Sequence, residues 1–205
     1  VQGRVVAVLR MAEALAPRYH VVVANPPYMG GKGMNPSLLN GLKSDYPDFS
    51  SDLFSAFVKR CAVVGLTGAR IGMMCPNVWM YTSAHQKLRH FIIEGNHLTN
   101  LLEMPLSGFK GATVQICAWN FTARKKQMNE AVFFQLTGVQ GGDDDYANSV
   151  ARACKEKGYL TYRVDPKSFA SIPGTPIAYY APKAAFSAFK GMKGLGEFLN
   201  PRIAL

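Results

Sequence analysis

Three short apolar runs divide the first half of this chain, and the stretches between them limit the folds open to it. The runs are "HVVVA" at 20–24, "ARIGMMCP" at 69–76 and "LTNLLEM" at 98–104. Residues 3–16, "GRVVAVLRMAEALA", carry apolar side chains at helical spacing and stop at Pro17. Residues 50–65 open on Ser and Asp capping residues, place apolar side chains at 53, 54, 57, 58 and 61, and end at Gly65. Residues 79–94 read as a further helix. Strand and helix in alternation predict an α/β domain with a mostly parallel sheet. "HVVVA" suits a central strand covered on both faces. "ATVQICAWNFTA" (112–123) and "EAVFFQLTGV" (130–139) flank the polar "RKKQMN", which predicts a terminal antiparallel hairpin with 124–126 as its solvated tip. Residues 25–50 are rich in Gly, Pro, Asn and Ser and read as a long loop, a length that usually carries function. Beyond residue 140 the pattern weakens. An exposed acidic turn at 141–148, a helix over 147–157, a strand at 159–164, a proline-broken stretch and a short helix at 182–190 are expected.

Composition narrows the class. The 205 residues hold 23 Lys and Arg against 13 Asp and Glu, a formal charge of +10, which favours a polyanionic partner. No run of 18 apolar residues suggests a membrane span, and no signal peptide is visible, so a cytoplasmic location is expected. Cysteines at 61, 75, 117 and 154 form no CxxC pair and read as free, buried thiols. Histidines at 20, 85, 90 and 97 lack metal-ligand spacing.

The first apolar run stops at Asn25 and is followed by Pro26, Pro27 and Tyr28. In parallel α/β sheets ligands bind just beyond the carboxyl ends of the strands. The prolines fix their own φ and hold their predecessors extended, so the Asn25 amide and the neighbouring carbonyls are aimed into one space. A planar group bearing an NH2 fits there. It donates one hydrogen to Asn25 and one to the Pro26 carbonyl, while its ring stacks on Tyr28. Acceptors on both hydrogens favour positive charge on the nitrogen as it attacks, which is preorganised electrostatics at the reacting atom. The bland reading of the same residues is a rigid turn with a packed aromatic.

"NPPY" resembles the catalytic motif of DNA methyltransferases acting on the exocyclic amine of adenine. Together with "DYPDFSSDLFSAFV", "ARIGMMCPNVWM", "KLRHFIIEG", "GFKGATVQIC" and "IPGTPIAYY", in that order, it is similar to the large adenine methyltransferases of BREX phage-defence systems and to related restriction–modification fusion enzymes. The resemblance implies a partial Rossmann-like class I methyltransferase domain, mostly parallel, with antiparallel terminal strands. It implies Asn25, Pro26, Pro27 and Tyr28 as the active-site loop, with Tyr28 stacked on a flipped adenine. Phe109 becomes a second wall for that base, and reads equally as a core residue; Lys32, outside the resemblance, reads as a DNA phosphate contact or a solvated lysine. Asp52 and Phe54 lie beside the cofactor, S-adenosylmethionine, although Asp52 reads more readily as a helix cap than as a ligand. Double-stranded DNA and other defence proteins are the implied partners. The glycine-rich cofactor turn that such enzymes carry upstream of NPPY is not found here. Residues 1–140 are therefore expected to be the second half of the catalytic domain, and 141–205 an extension toward target recognition. Alone, the chain is expected not to turn over. Methylation of protein glutamine or of RNA, and a non-catalytic DNA-binding module, are the competing readings.

Overall fold

The structure is a computed structural model that describes residues 2–106, 114–124 and 130–189. Its centre is one six-stranded sheet: β1 (Tyr19–Ala24), β2 (Gly65–Pro76), β3 (His97–Glu103), β4 (Ile116–Thr122), β5 (Ala131–Gln135) and β6 (Thr161–Val164), in the spatial order β1-β2-β4-β3-β5-β6. β1, β2, β3 and β5 run one way, and β4 and β6 run against them. The sheet is thus mostly parallel, as the alternation implies. The expected hairpin of the fourth and fifth strands is corrected. β4 inserts between β2 and β3, antiparallel to both, and β5 pairs in parallel with β3. Only one antiparallel strand, β6, is terminal.

Helices α3 (Leu53–Val64) and α4 (Gln86–Gly95) cover one face of the sheet, with a 3-10 turn at Pro166–Ser171 beside them. Period-two alternation supplies the core beneath them: Ile71, Met73 and Cys75 from β2, and Cys117, Trp119 and Phe121 from β4, are buried. Trp79 packs on Trp119 with centroids 4.4 Å apart, and each indole N–H points at a thiol, Trp79 at Cys117 and Trp119 at Cys75. The opposite face is half-open and carries a polar seam. Asn120 donates to Asn100 at 2.6 Å, and Arg70 donates to Thr122 at 3.2 Å.

Several expectations change. β1 is an edge strand, with Val21 62% and Val23 77% exposed, because no described strand pairs with its outer side. The amphipathic helix exists as α1 (Gln2–Leu15) but buries none of its residues. The supposed loop at 25–50 contains α2 (Pro36–Asp45), whose N-cap Asn35 accepts from the Leu38 amide and whose first residue is proline. The helix expected from 79 starts at Gln86, after two 3-10 turns. The acidic triplet is no turn: Asp143, Asp144 and Asp145 open α5 (Asp143–Lys155), where carboxylates suit the positive end of the helix dipole. Cys154 is exposed; the other three cysteines are buried. Arg124 is exposed, but its guanidinium is tethered, donating to the carbonyls of Ala62 and Gly65 at the end of α3. Lys125 and Lys126 lie outside the described residues. Beyond residue 140 the chain continues to add to the sheet and to the core. β6 extends the sheet, and Phe169 and Tyr179 are buried against Phe133. The last helix among the described residues is α6 (Lys183–Phe189).

One buried cation fastens distant segments. Arg89, on α4, is 1% exposed, and burial lowers its pKa. Its guanidinium donates to the carbonyls of Trp79 and Thr82, both at 2.7 Å, and to Gly174 through Nε at 3.0 Å and Nη2 at 2.7 Å. Three backbone acceptors therefore replace the carboxylate a buried arginine would otherwise need. Replacing Arg89 by Leu should strand them and lower unfolding stability by about 3 kcal/mol, read as a fall in the urea midpoint. An unchanged midpoint would show that water satisfies these carbonyls just as well.

Candidate active site

β1 stops at Ala24 because Asn25 turns the chain out of the sheet and the two prolines, lacking N–H groups, cannot extend a ladder. Ala24 pairs with Met73, so the Asn25–Tyr28 loop sits beside the carboxyl end of β2. Pro26 is buried and anchors the loop; Asn25 and Pro27 are exposed. Tyr28 is 38% exposed and folds back so that its hydroxyl donates to Asn25 Oδ1 at 2.8 Å. The Asn25 oxygen is therefore held by one side chain, at the surface. Partial burial raises the Tyr28 pKa, and the Cys75 and Cys117 thiols add to the rise, so the phenol stays a donor.

Asp52 braces the loop. Its Oδ1 accepts from the Met29 amide at 3.1 Å and from the Phe54 amide at 3.3 Å, capping α3 and tying it to the residue after Tyr28. The Leu53 amide donates back to the Met29 carbonyl at 3.0 Å. Phe54 is fully buried, with its ring 5.0 Å from that of His85, and offers no surface to a ligand. Burial lowers the His85 pKa, keeping the ring neutral, and its Nδ1 lies 3.0 Å from the Ser55 hydroxyl. Lys32 is exposed in a 3-10 turn, Gly31–Gly33. Phe109 lies outside the described residues.

The sequence reading missed a second polar cluster at this edge. Glu103 ends β3, is 4% exposed, and accepts from the Tyr179 hydroxyl at 2.6 Å and from the Asn77 amide at 2.7 Å. Burial and the Glu103 carboxylate raise the pKa of both Tyr81 and Tyr179. Because β4 runs in reverse, its entry residue Gln115 reaches the same edge and donates to the Met104 carbonyl at 3.2 Å. The one signal in the sequence is a carboxylate closing an apolar run, "NLLEMP", much as Asn25 closes the first. No group of three His, Cys, Asp or Glu side chains able to hold a metal occurs among the described residues. None of their helices is long and apolar enough to cross a membrane.

This sheet is the fold of class I methyltransferases of restriction–modification systems. The type I methyltransferase subunit from Streptococcus thermophilus superposes with a TM-score of 0.60 over 80% of this chain and 38% of its own, at 13% identity. A structure from a type I restriction–modification assembly gives 0.58 over 91% of this chain and 42% of its own, at 18% identity. Residues 11–109 match the model of the Eco57I restriction-modification methylase family. It is 30% identical over 191 residues to the adenine-specific methyltransferase BrxX of Escherichia coli O9:H4 (strain HS), covering 92% of this chain and 15% of that protein. It is 28% identical over 188 residues to the adenine-specific methyltransferase PglX of Lacticaseibacillus casei (strain Zhang), covering 85% and 15%. The chain thus spans about 15% of the length of the curated relatives it matches.

Asp52 is the residue whose loss should loosen the loop without touching its chemistry. Asp52→Ala should cost about 1 kcal/mol of stability as a lost helix cap. It should also speed proteolysis around Met29, whereas Asp52→Asn should restore much of both. Equal proteolysis in all three proteins would mean that the loop holds itself.

Proposed function

We propose that this chain is the part of a longer enzyme that presents the exocyclic amine of a DNA adenine for methylation. The single observation that carries this reading is the state of Asn25. Its side chain stands exposed at the end of a strand, with its oxygen held by the Tyr28 hydroxyl rather than by backbone. An amide oxygen has two lone pairs, so Asn25 Oδ1 can take an amine hydrogen while keeping the tyrosine bond. The Pro26 carbonyl takes the second hydrogen. The two acceptors draw the nitrogen toward the charge it gains during attack. The Tyr28 ring supports the flipped base, and Phe109 is proposed as the opposing wall. Lys32, exposed on its turn, contacts a phosphate.

S-adenosylmethionine would supply the methyl group. Asp52 and Phe54 do not make a cradle for it on their own: the carboxylate already serves two backbone amides, and the ring has no exposed surface. Both enter this reading as bracing for the loop. The cofactor is held chiefly by parts of the longer protein beyond these residues, and residues 1–140 are the proposed catalytic half. Double-stranded DNA is the proposed substrate. The adenine-specific names of the relatives and the charge of +10 support it.

In the full-length protein that carries this chain, transfer of labelled methyl to duplex DNA should fall by a factor of about 10² or more in Asn25→Ala. Tyr28→Phe keeps the ring and should lose only a few-fold. Tyr28→Ala should lose about 10- to 100-fold by removing a base-stacking surface. Methylation persisting in Asn25→Ala, or labelling of RNA or protein in place of DNA, would overturn the assignment. The 205-residue chain alone should bind S-adenosylmethionine about a hundredfold more weakly than the full protein, roughly 2.7 kcal/mol by calorimetry. Equal affinity would place the cofactor site within this chain.

A further inference from the structure

We propose that the groove where the carboxyl end of α5 meets β3, β5 and β6 binds a small phosphate-bearing ligand of nucleotide size. The groove encloses roughly 840 Å³ on the half-open face of the sheet. Asn100 lies three strands from β1, about 15 Å away across the sheet, so the groove is separate from the Asn25 loop. This inference does not rest on the methylation reading.

Charge argues for an anion. Lys155, Lys157 and Arg163 all line the groove, and no acidic residue does. Between residues 152 and 164 the sole carboxylate is Glu156, and it is committed to Arg152 at 2.9 Å. Arg152 in turn lies over the Tyr159 ring, 4.0 Å from its centroid. None of the three groove cations has an ion-pair partner among the described residues. Lys155 also answers the negative end of α5, but Lys157 and Arg163 have no such duty. Cations that line one groove without counter-charges favour a multiply charged oxyanion, and phosphate matches an arginine fork best.

The rest of the lining argues for a ring attached to that phosphate. Phe134 and Val132 give the groove an apolar wall. Asn100 Oδ1 accepts from Asn120, which leaves the Asn100 amide NH2 without a partner among the described residues. A flat apolar surface beside a free amide donor is what a nucleobase uses. The volume lies within the range of small-molecule sites. The backbone of a duplex needs cations spread along its length, whereas these three line a single groove.

Cys154 lines the same groove and is the one exposed cysteine of the four. It reports occupancy directly. In the full-length protein, alkylation of Cys154 is followed by peptide mass spectrometry with ATP, ADP, inorganic pyrophosphate or duplex DNA present. A ligand at ten times its Kd should slow the reaction about tenfold. Protection by ATP or ADP and not by pyrophosphate supports a nucleotide site. Equal protection by pyrophosphate supports the phosphate chemistry with an inorganic source. Protection should vanish in the Lys157→Ala, Arg163→Gln double variant, while its melting temperature and methyl transfer to DNA stay unchanged. No protection by any small phosphate, protection by duplex DNA alone, or full protection surviving in a folded double variant would each overturn the proposal.

Discussion

The insertion of β4 between β2 and β3 is the constraint on which the rest of this structure depends. A strand running against its neighbours carries its entry to the edge where they exit. Gln115 and Cys117 therefore meet the ends of β2 and β3. The same insertion places Trp119 and Phe121 in the middle of the sheet, where they meet Trp79 and the helices above. Burial of that aromatic column is non-directional, but the two indole-to-thiol contacts fix its orientation.

Around that edge, polar groups do the locking that apolar packing cannot. Glu103 gathers Asn77 and Tyr179, and Arg89 gathers Trp79, Thr82 and Gly174. The Ile177 amide adds a bond to the Met80 carbonyl at 2.9 Å. Two segments about ninety residues apart, 77–82 and 174–179, are thereby held as one rim. A buried polar network of this kind is costly when half-satisfied and specific when complete. The rim gives the short Asn25–Tyr28 loop a fixed surface to stand beside.

How much of this was legible follows from which forces are local. The apolar run that stops at Asn25 and the prolines after it are written in adjacent residues, so the strand end and its loop could be read directly. The α3 cap at Asp52 is local too. α2 was hidden although its signal was present: Asn35 and Pro36 are a cap followed by a first-turn proline, lost within a stretch judged by its Gly and Ser. Asp143 to Asp145 looked like a turn because acidic residues favour both turns and helix starts. The pairing of β3 with β5 was not legible. A polar segment between two strands reads the same whether they pair or a third strand lies between them. Glu103 and Tyr179 stand 76 residues apart, and nothing nearby in sequence marks either as the other's partner.

The bare outer edge of β1 has a consequence for handling the molecule. Its unpaired N–H and C=O groups, flanked by Val21 and Val23, form a template that accepts any strand offered to it. No proline or inward charge interrupts residues 21 to 24, so two copies meeting there would pair edge to edge. A lysine placed at Val23 would blunt that tendency at little cost, since the side chain already stands in water.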